Sequence, residues 1–273
     1  MVGAGCQPVV PRDTAGIVAL ERELGGRVGL FAKDDGGRLL AYRADERFAM
    51  CSTFKWALAA AILAEVDAGR TTLDAAIPYG ERDLLEYAPT TRAQVAAGEL
   101  SVGALCEAAV TLSDNTAANL LLRTIGGPPG LTRFLRHHGD RTTRLDRDEP
   151  ELNANTEGDP QDTTTPRAMV GSLGTMLSGT VLSSHSRDQL HAWLAACATC
   201  QARLRAGLPS GWSAADKTGT GPRGASGDVG VLRSPAGNAV YVATYLSGSD
   251  ASVARRDRAL ATLGRIVADA FSD

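Results

Sequence analysis

What most restricts the fold is where strand-like patterning falls, at both ends of the chain and not in its middle. Segments 27–33 and 38–43 read as a hairpin around Asp34-Asp35-Gly36-Gly37, a residue set suited to a tight turn. Strand character returns only at 212–218, 228–233 and 239–246. From about 52 to 204 the apolar residues recur at helical spacing instead, in runs at 53–66, 101–112, 116–125, 131–137, 167–177 and 187–197. Further helices are expected at 13–24 and about 252–270. The pattern predicts an α/β fold: one antiparallel sheet built from both chain ends and flanked by helices, with an all-helical lobe inserted. Residues 1–45 and 205–273 would form the α/β lobe, and 46–204 the helical one.

Composition narrows the function classes. The 273 residues are 44% hydrophobic and 22% charged, which excludes disorder as the main state. A net charge of −3 offers no basic surface for nucleic acid or anionic lipid. The longest apolar run, 56–66 broken only by Glu65, is about half the roughly 20 residues a membrane span needs. The opening Met-Val-Gly-Ala-Gly-Cys6 is similar to the cleavage end of a lipoprotein signal without its apolar stretch, so an anchor at Cys6 is expected only if a signal has been trimmed. Five cysteines at irregular spacing are no disulfide scaffold. Cys197 and Cys200 fall in what reads as one helix over 186–200, and are expected as buried or idle thiols, not as metal ligands.

One stretch, 139–165, lacks periodicity and carries many charges with Pro150 and Pro160. A loop that long in a compact chain is usually functional. Arg147 and Asp162 near its ends could pair and close it as an Ω-type loop, 144–162.

Only three of the 28 basic residues are lysines, Lys33, Lys55 and Lys217, and two of them sit in short motifs. Lysine, unlike arginine, can give up its proton in a protein. No His occurs before His137, so a Ser-His-Asp triad is poorly supplied and an activated Ser needs another base. Ser52-Thr53-Phe54-Lys55 offers one: Lys55 lies one helical turn beyond Ser52, and burial among Phe54, Trp56 and Leu58 would lower its pKa. Taken singly, this motif reads better as an N-cap serine with a surface lysine. Ser113-Asp114-Asn115 would open the next helix. Lys217-Thr218-Gly219-Thr220-Gly221 ends a strand with small residues that let backbone approach a ligand. Glu149-Pro150-Glu151-Leu152-Asn153 sets carboxylates and an amide in the long loop.

In this order the four motifs resemble those of the class A serine β-lactamases, over essentially the whole chain. The resemblance implies a β-lactam amide hydrolase in which Ser52 is acylated, Lys55 and Ser113 move protons, and Glu149 with Asn153 activates the deacylating water. Asn115, Lys217, Thr218 and Thr220 would bind substrate, with Tyr87 as an aromatic wall, and Glu149–Pro150 would be cis. Ser226 stands where many relatives carry a carboxylate-gripping Arg, and Arg203, 14 residues before Lys217, is similar to the substitute found in others. Ala59 opposite Cys106, and Gly221 opposite Cys51, leave two disulfides of some relatives unmade. The resemblance further implies no metal or cofactor, a monomer, a periplasmic or secreted location, and a role in antibiotic resistance. Two rivals share the first motifs: a penicillin-binding D,D-peptidase, which lacks the Glu149/Asn153 pair, and a β-lactam sensor domain, which is acylated once and should lie beside a membrane span.

Overall fold

The computed structural model describes residues 14–272. Helix α1 (Thr14–Leu24) leads into β1 (Arg27–Asp34) and β2 (Leu39–Tyr42), the expected hairpin. Its turn is held by the Asp34 carboxylate, which accepts from the Arg38 amide at 2.8 Å and from Arg38 Nε at 2.7 Å. Short β3 (Phe48–Ala49) precedes a 3-10 turn, Cys51–Phe54, that runs straight into α2 (Lys55–Asp67). Next come β4 (Ala76–Pro78), α3 (Pro89–Ala93), β5 (Glu99–Ser101), α4 (Val102–Thr111), α5 (Asn115–Thr124) and α6 (Gly127–His137). The long loop ends at β6 (Thr163–Thr164), followed by α7 (Pro166–Leu177), α8 (Ser184–Ala195) and α9 (Leu204–Gly207). The chain closes with β7 (Ser213–Thr220), β8 (Ser226–Arg233), β9 (Ala239–Ser247) and α10 (Val253–Ala270).

One five-stranded sheet, ordered β2-β1-β9-β8-β7, joins the two chain ends. Every neighbouring pair is antiparallel, with Leu30 opposite Thr244 where the N-terminal hairpin meets the C-terminal strands. Because both faces are covered, the strands are buried nearly throughout and alternation sorts residues between two cores. Along β9, Val240, Val242 and Leu246 face a core shared with α1 and α10. Tyr241, Ala243 and Tyr245 face the other, which runs on into α2, α4, α5 and α7.

Helix α2 is buried on all sides from Lys55 to Leu63, as a helix without a polar face must be. Asp114, not Ser113, caps α5, its carboxylate accepting from the Ala117 amide at 2.9 Å. The loop is closed as expected by Arg147 Nε on Asp162 Oδ2 at 2.5 Å, and Glu149–Pro150 is cis. Two expectations fail together. Helix α8 ends at Ala195, short of the 200 expected, and Cys197 and Cys200 are not free thiols but a disulfide. A cysteine pair three positions apart suits a turn as well as a helix, and helical periodicity cannot tell one from the other. Cys51 and Cys106 are free and buried, and Cys6 lies outside the described residues.

Candidate active site

The site forms where the 3-10 turn before α2 meets the edge strand β7. Gly219 makes the approach possible: a Cβ there would lie 2.7 Å from the Met50 carbonyl oxygen and 3.0 Å from the Ser52 amide nitrogen. Gly221 is equally confined, since its Cβ would stand 2.7 Å from Cys51 Sγ.

Ser52 Oγ donates to Glu149 Oε1 at 3.1 Å, and Lys55 Nζ reaches the same oxygen at 3.0 Å. The Lys55 and Glu149 side chains are both 0% exposed. Lys55 Nζ also donates to the Ser113 carbonyl at 2.8 Å and to Asn115 Oδ1 at 2.5 Å, with Ser113 Oγ at 3.4 Å. Asn153 Nδ2 donates to the second Glu149 oxygen at 2.7 Å, which leaves Asn153 Oδ1 buried without a partner among the described residues. Ser52, Lys55, Ser113, Asn115, Glu149 and Asn153 are thus one connected cluster. Burial pulls the Lys55 ammonium below the usual lysine range, and the Glu149 charge partly offsets that.

The other expected residues line β7. Lys217 is fully buried and donates to the Thr218 carbonyl at 2.8 Å. Burial, then the Lys55 charge, draws its pKa down to about 7, against a smaller pull upward from Asp228. Arg203 is only 5% exposed and meets the strand from behind. Its guanidinium donates to the Thr220 hydroxyl at 2.6 Å, to the Gly219 and Gly227 carbonyls at 2.8 Å each, and to Asp257 at 2.8 Å. Tyr87 is 51% exposed and tied to the cluster by its carbonyl, which accepts from the Asn115 amide at 3.1 Å.

Asn119 went unread in the sequence, and Asp114 was read only as a candidate cap of the next helix. Asn119 clamps the backbone of Glu149, donating to its carbonyl at 2.8 Å and accepting from its amide at 3.0 Å. Asp114 is a buried hub that takes the amides of Thr90 (3.0 Å) and Thr91 (2.9 Å) as well as capping α5. The periodicity of the sequence carries no signal for the Asn119 clamp or for the Thr90 and Thr91 bonds of Asp114, because those partners lie 23 to 30 positions away. Behind β7, donor atoms of Cys200, Asp216 and Asp228 lie within 4.8 Å of one another. That set lacks the thiolate a cation would want, since Cys200 is in the disulfide, and Asp216 is paired to Arg205 at 2.6 Å.

An antiparallel sheet flanked by helices, its edge strand laid along a buried Ser–Lys–Glu cluster, is the build of a hydrolase. Its family follows from likeness to known proteins. Residues 14–271 match the model of the β-lactamase enzyme family, and the chain belongs to that family, an enzyme of its class A. It is 52% identical to the class A β-lactamase of the last common ancestor of Gram-negative bacteria, over 94% of this chain and 98% of that one, with a TM-score of 0.93. An ancestral class A β-lactamase is also 52% identical over 94% and 99% of the two chains, at a TM-score of 0.92. A β-lactamase from Xanthomonas campestris pv. campestris is 44% identical over 94% and 97%, at a TM-score of 0.92.

Proposed function

We propose that the enzyme hydrolyses penicillins and cephalosporins through an acyl-enzyme on Ser52, and so confers resistance to them. Ser52 Oγ attacks the lactam carbonyl as its proton passes to the Lys55–Glu149 pair, and the amides of Ser52 and Thr220 face the developing oxyanion. The C–N bond breaks as a proton passes through Ser113, flanked by Lys55, to the lactam nitrogen. Water then adds to the ester carbonyl as Glu149 takes its proton, the ester C–O bond breaks, and Ser52 regains its hydrogen. Lys217, Thr218 and Thr220 receive the substrate carboxylate, Arg203 acts through Thr220, and Asn115 with Tyr87 meets the side chain. The described residues read as an α/β lobe of 14–45 with 205–272 around a helical lobe of 46–204, with this cleft between them.

The observation that carries the reading is Glu149. One carboxylate oxygen is 3.1 Å from the Ser52 hydroxyl, and the other is held at 2.7 Å by an Asn153 amide whose own oxygen accepts from no group among the described residues. A carboxylate so placed suits activation of water at an ester on Ser52 and favours turnover over the single acylation of a peptidase or sensor. A positioned general base is worth about 10²–10⁴ in rate. Glu149→Gln is expected to accumulate a covalent penicilloyl adduct on Ser52, seen by intact mass, while turnover falls by about that factor. Wild-type rates in this variant would remove Glu149 from the role. A stable adduct on the wild-type enzyme would point to a D,D-peptidase or sensor instead.

Export to the periplasm or medium fits the Cys197–Cys200 disulfide, which persists in oxidising compartments. No helix among the described residues is long and apolar enough to cross a membrane.

A further inference from the structure

The Cys197–Cys200 disulfide closes a turn whose only polar side chain belongs to Thr199. Both sulfurs are buried, and Cys200 Sγ rests 3.3 Å from the carbonyl oxygen of Asp216, the residue before Lys217. The clasp therefore lies against β7 directly behind the Lys-Thr-Gly segment. Thr199 projects from it to the side of that strand. Its hydroxyl oxygen is 2.7 Å from Thr218 Oγ1 and 3.4 Å from Cys197 Sγ.

Proton counting gives this contact a direction. Each threonine hydroxyl has one hydrogen, and a disulfide sulfur has none, so Cys197 can only accept. If Thr218 donates to Thr199, it turns lone pairs toward the cleft, where an arriving carboxylate can only accept. If Thr199 donates to Thr218, the Thr218 hydrogen is left for the carboxylate and neither hydroxyl loses a bond when substrate enters. A hydrogen bond to a charged acceptor is worth more than one between neutral groups, so bound substrate selects the second arrangement.

We propose that Thr199, presented by the Cys197–Cys200 clasp, is a positioning residue of the carboxylate subsite. It donates to Thr218 and so aims the Thr218 O–H at the substrate anion. The inference rests on the reading that Thr218 meets that anion, and it adds a residue and a covalent brace outside the four catalytic motifs. It concerns recognition of the negative charge, not the bond-breaking steps at Ser52.

The test uses the whole enzyme, a penicillin, and the methyl ester of the same penicillin, which keeps the lactam but has no anion. Thr199→Val, nearly isosteric, is expected to raise KM for the acid about tenfold, or about 1.4 kcal/mol, with kcat within about twofold. The ester should be handled equally by both enzymes, and Thr199→Ser, which restores the hydroxyl, should return KM to the wild-type range. A Cys197→Ser/Cys200→Ser variant with native circular dichroism should show a rise in KM of the same selectivity, since the turn is no longer fixed. Unchanged KM in Thr199→Val overturns the proposal. So does equal damage to acid and ester, or failure of serine to rescue, because each marks a merely structural role. These outcomes are separate from failure of the β-lactam reading, in which the wild-type enzyme itself would not turn over the penicillin.

Discussion

Asn119 holds Glu149 by its peptide group, not its carboxylate, so the loop that carries the base is pinned from α5 through a single side chain. Asn119→Ala leaves both an N–H and a C=O without their partner, and an unmatched buried polar group costs about 1–3 kcal/mol. The expected result is about 2 kcal/mol of lost stability in a thermal melt, with deacylation slowed more than acylation in stopped-flow bursts. Lys217 leads to a second expectation. Its pKa is lowered to about 7, so it is a cation below that pH and neutral above it. The charges facing it are Lys55 and Arg203, which push its pKa down, and Asp228 and Asp216, which push it up. The affinity for a carboxylate-bearing substrate should therefore fall as pH rises through about 7, and affinity for a neutral ester should not. Paired pH profiles of kcat/KM for the two substrates check this, and parallel profiles would deny Lys217 the contact. Ser52 and Lys55 were legible in the sequence because a three-residue spacing is itself a geometric statement. Asn119 was not: its meaning depends on a partner 30 residues away, and no local pattern records it.

The long helices were readable, as they are wherever an apolar face repeats for three turns or more, and α4, α5 and α7 fall within a residue or two of their periodic runs. The two-stranded pairs β3–β6 and β4–β5 were not, because two or three residues are too few to display alternation. The loop between α6 and β6 was legible by default, as the one stretch without a period. Its order comes from Asp162, whose carboxylate takes the amides of Asp146 at 2.7 Å and Arg147 at 3.0 Å as well as the Arg147 side chain at 2.5 Å. With 1% of its surface exposed, Asp162 holds both ends of the loop from inside. Removing one member of such a pair strands the other and costs about 3–5 kcal/mol when both are buried; Arg147 is partly exposed, so the lower end applies. Asp162→Ala is expected to lose about 3 kcal/mol and to speed amide exchange across 146–162. Exchange left as slow as in the wild type would mean that contacts of Leu152 and Asn119 hold the loop without the ion pair.

The sheet divides the molecule into two cores with different duties. On one face α1 and α10 pack Leu20, Leu260, Leu263 and Val267 against Val240 and Val242, a cluster that holds none of Ser52, Lys55, Ser113 and Glu149. On the other face Trp56, Leu58 and Leu105 share one core with Tyr241, Ala243 and Tyr245, and that core encloses α2, the helix on which Lys55 sits. The same deletion should therefore have different consequences on the two sides. Leu263 and Leu58 are each fully buried, and Leu→Ala at such sites costs about 2–5 kcal/mol through lost transfer energy and the cavity left behind. For a chain of this size that lowers Tm by about 5–15 °C. In Leu263→Ala the loss should stop there, with kcat at 25 °C at the wild-type value for the folded fraction. In Leu58→Ala the cavity opens within a turn of Lys55, whose amine must stay within 3.0 Å of Glu149 Oε1 and 2.8 Å of the Ser113 carbonyl, so kcat should fall along with Tm. Melting curves alone cannot separate the two variants; rates measured well below both transitions can. Equal loss of kcat in both would mean that the sheet transmits packing changes from one face to the other, and that the site depends on the chain ends as directly as on the helices around it.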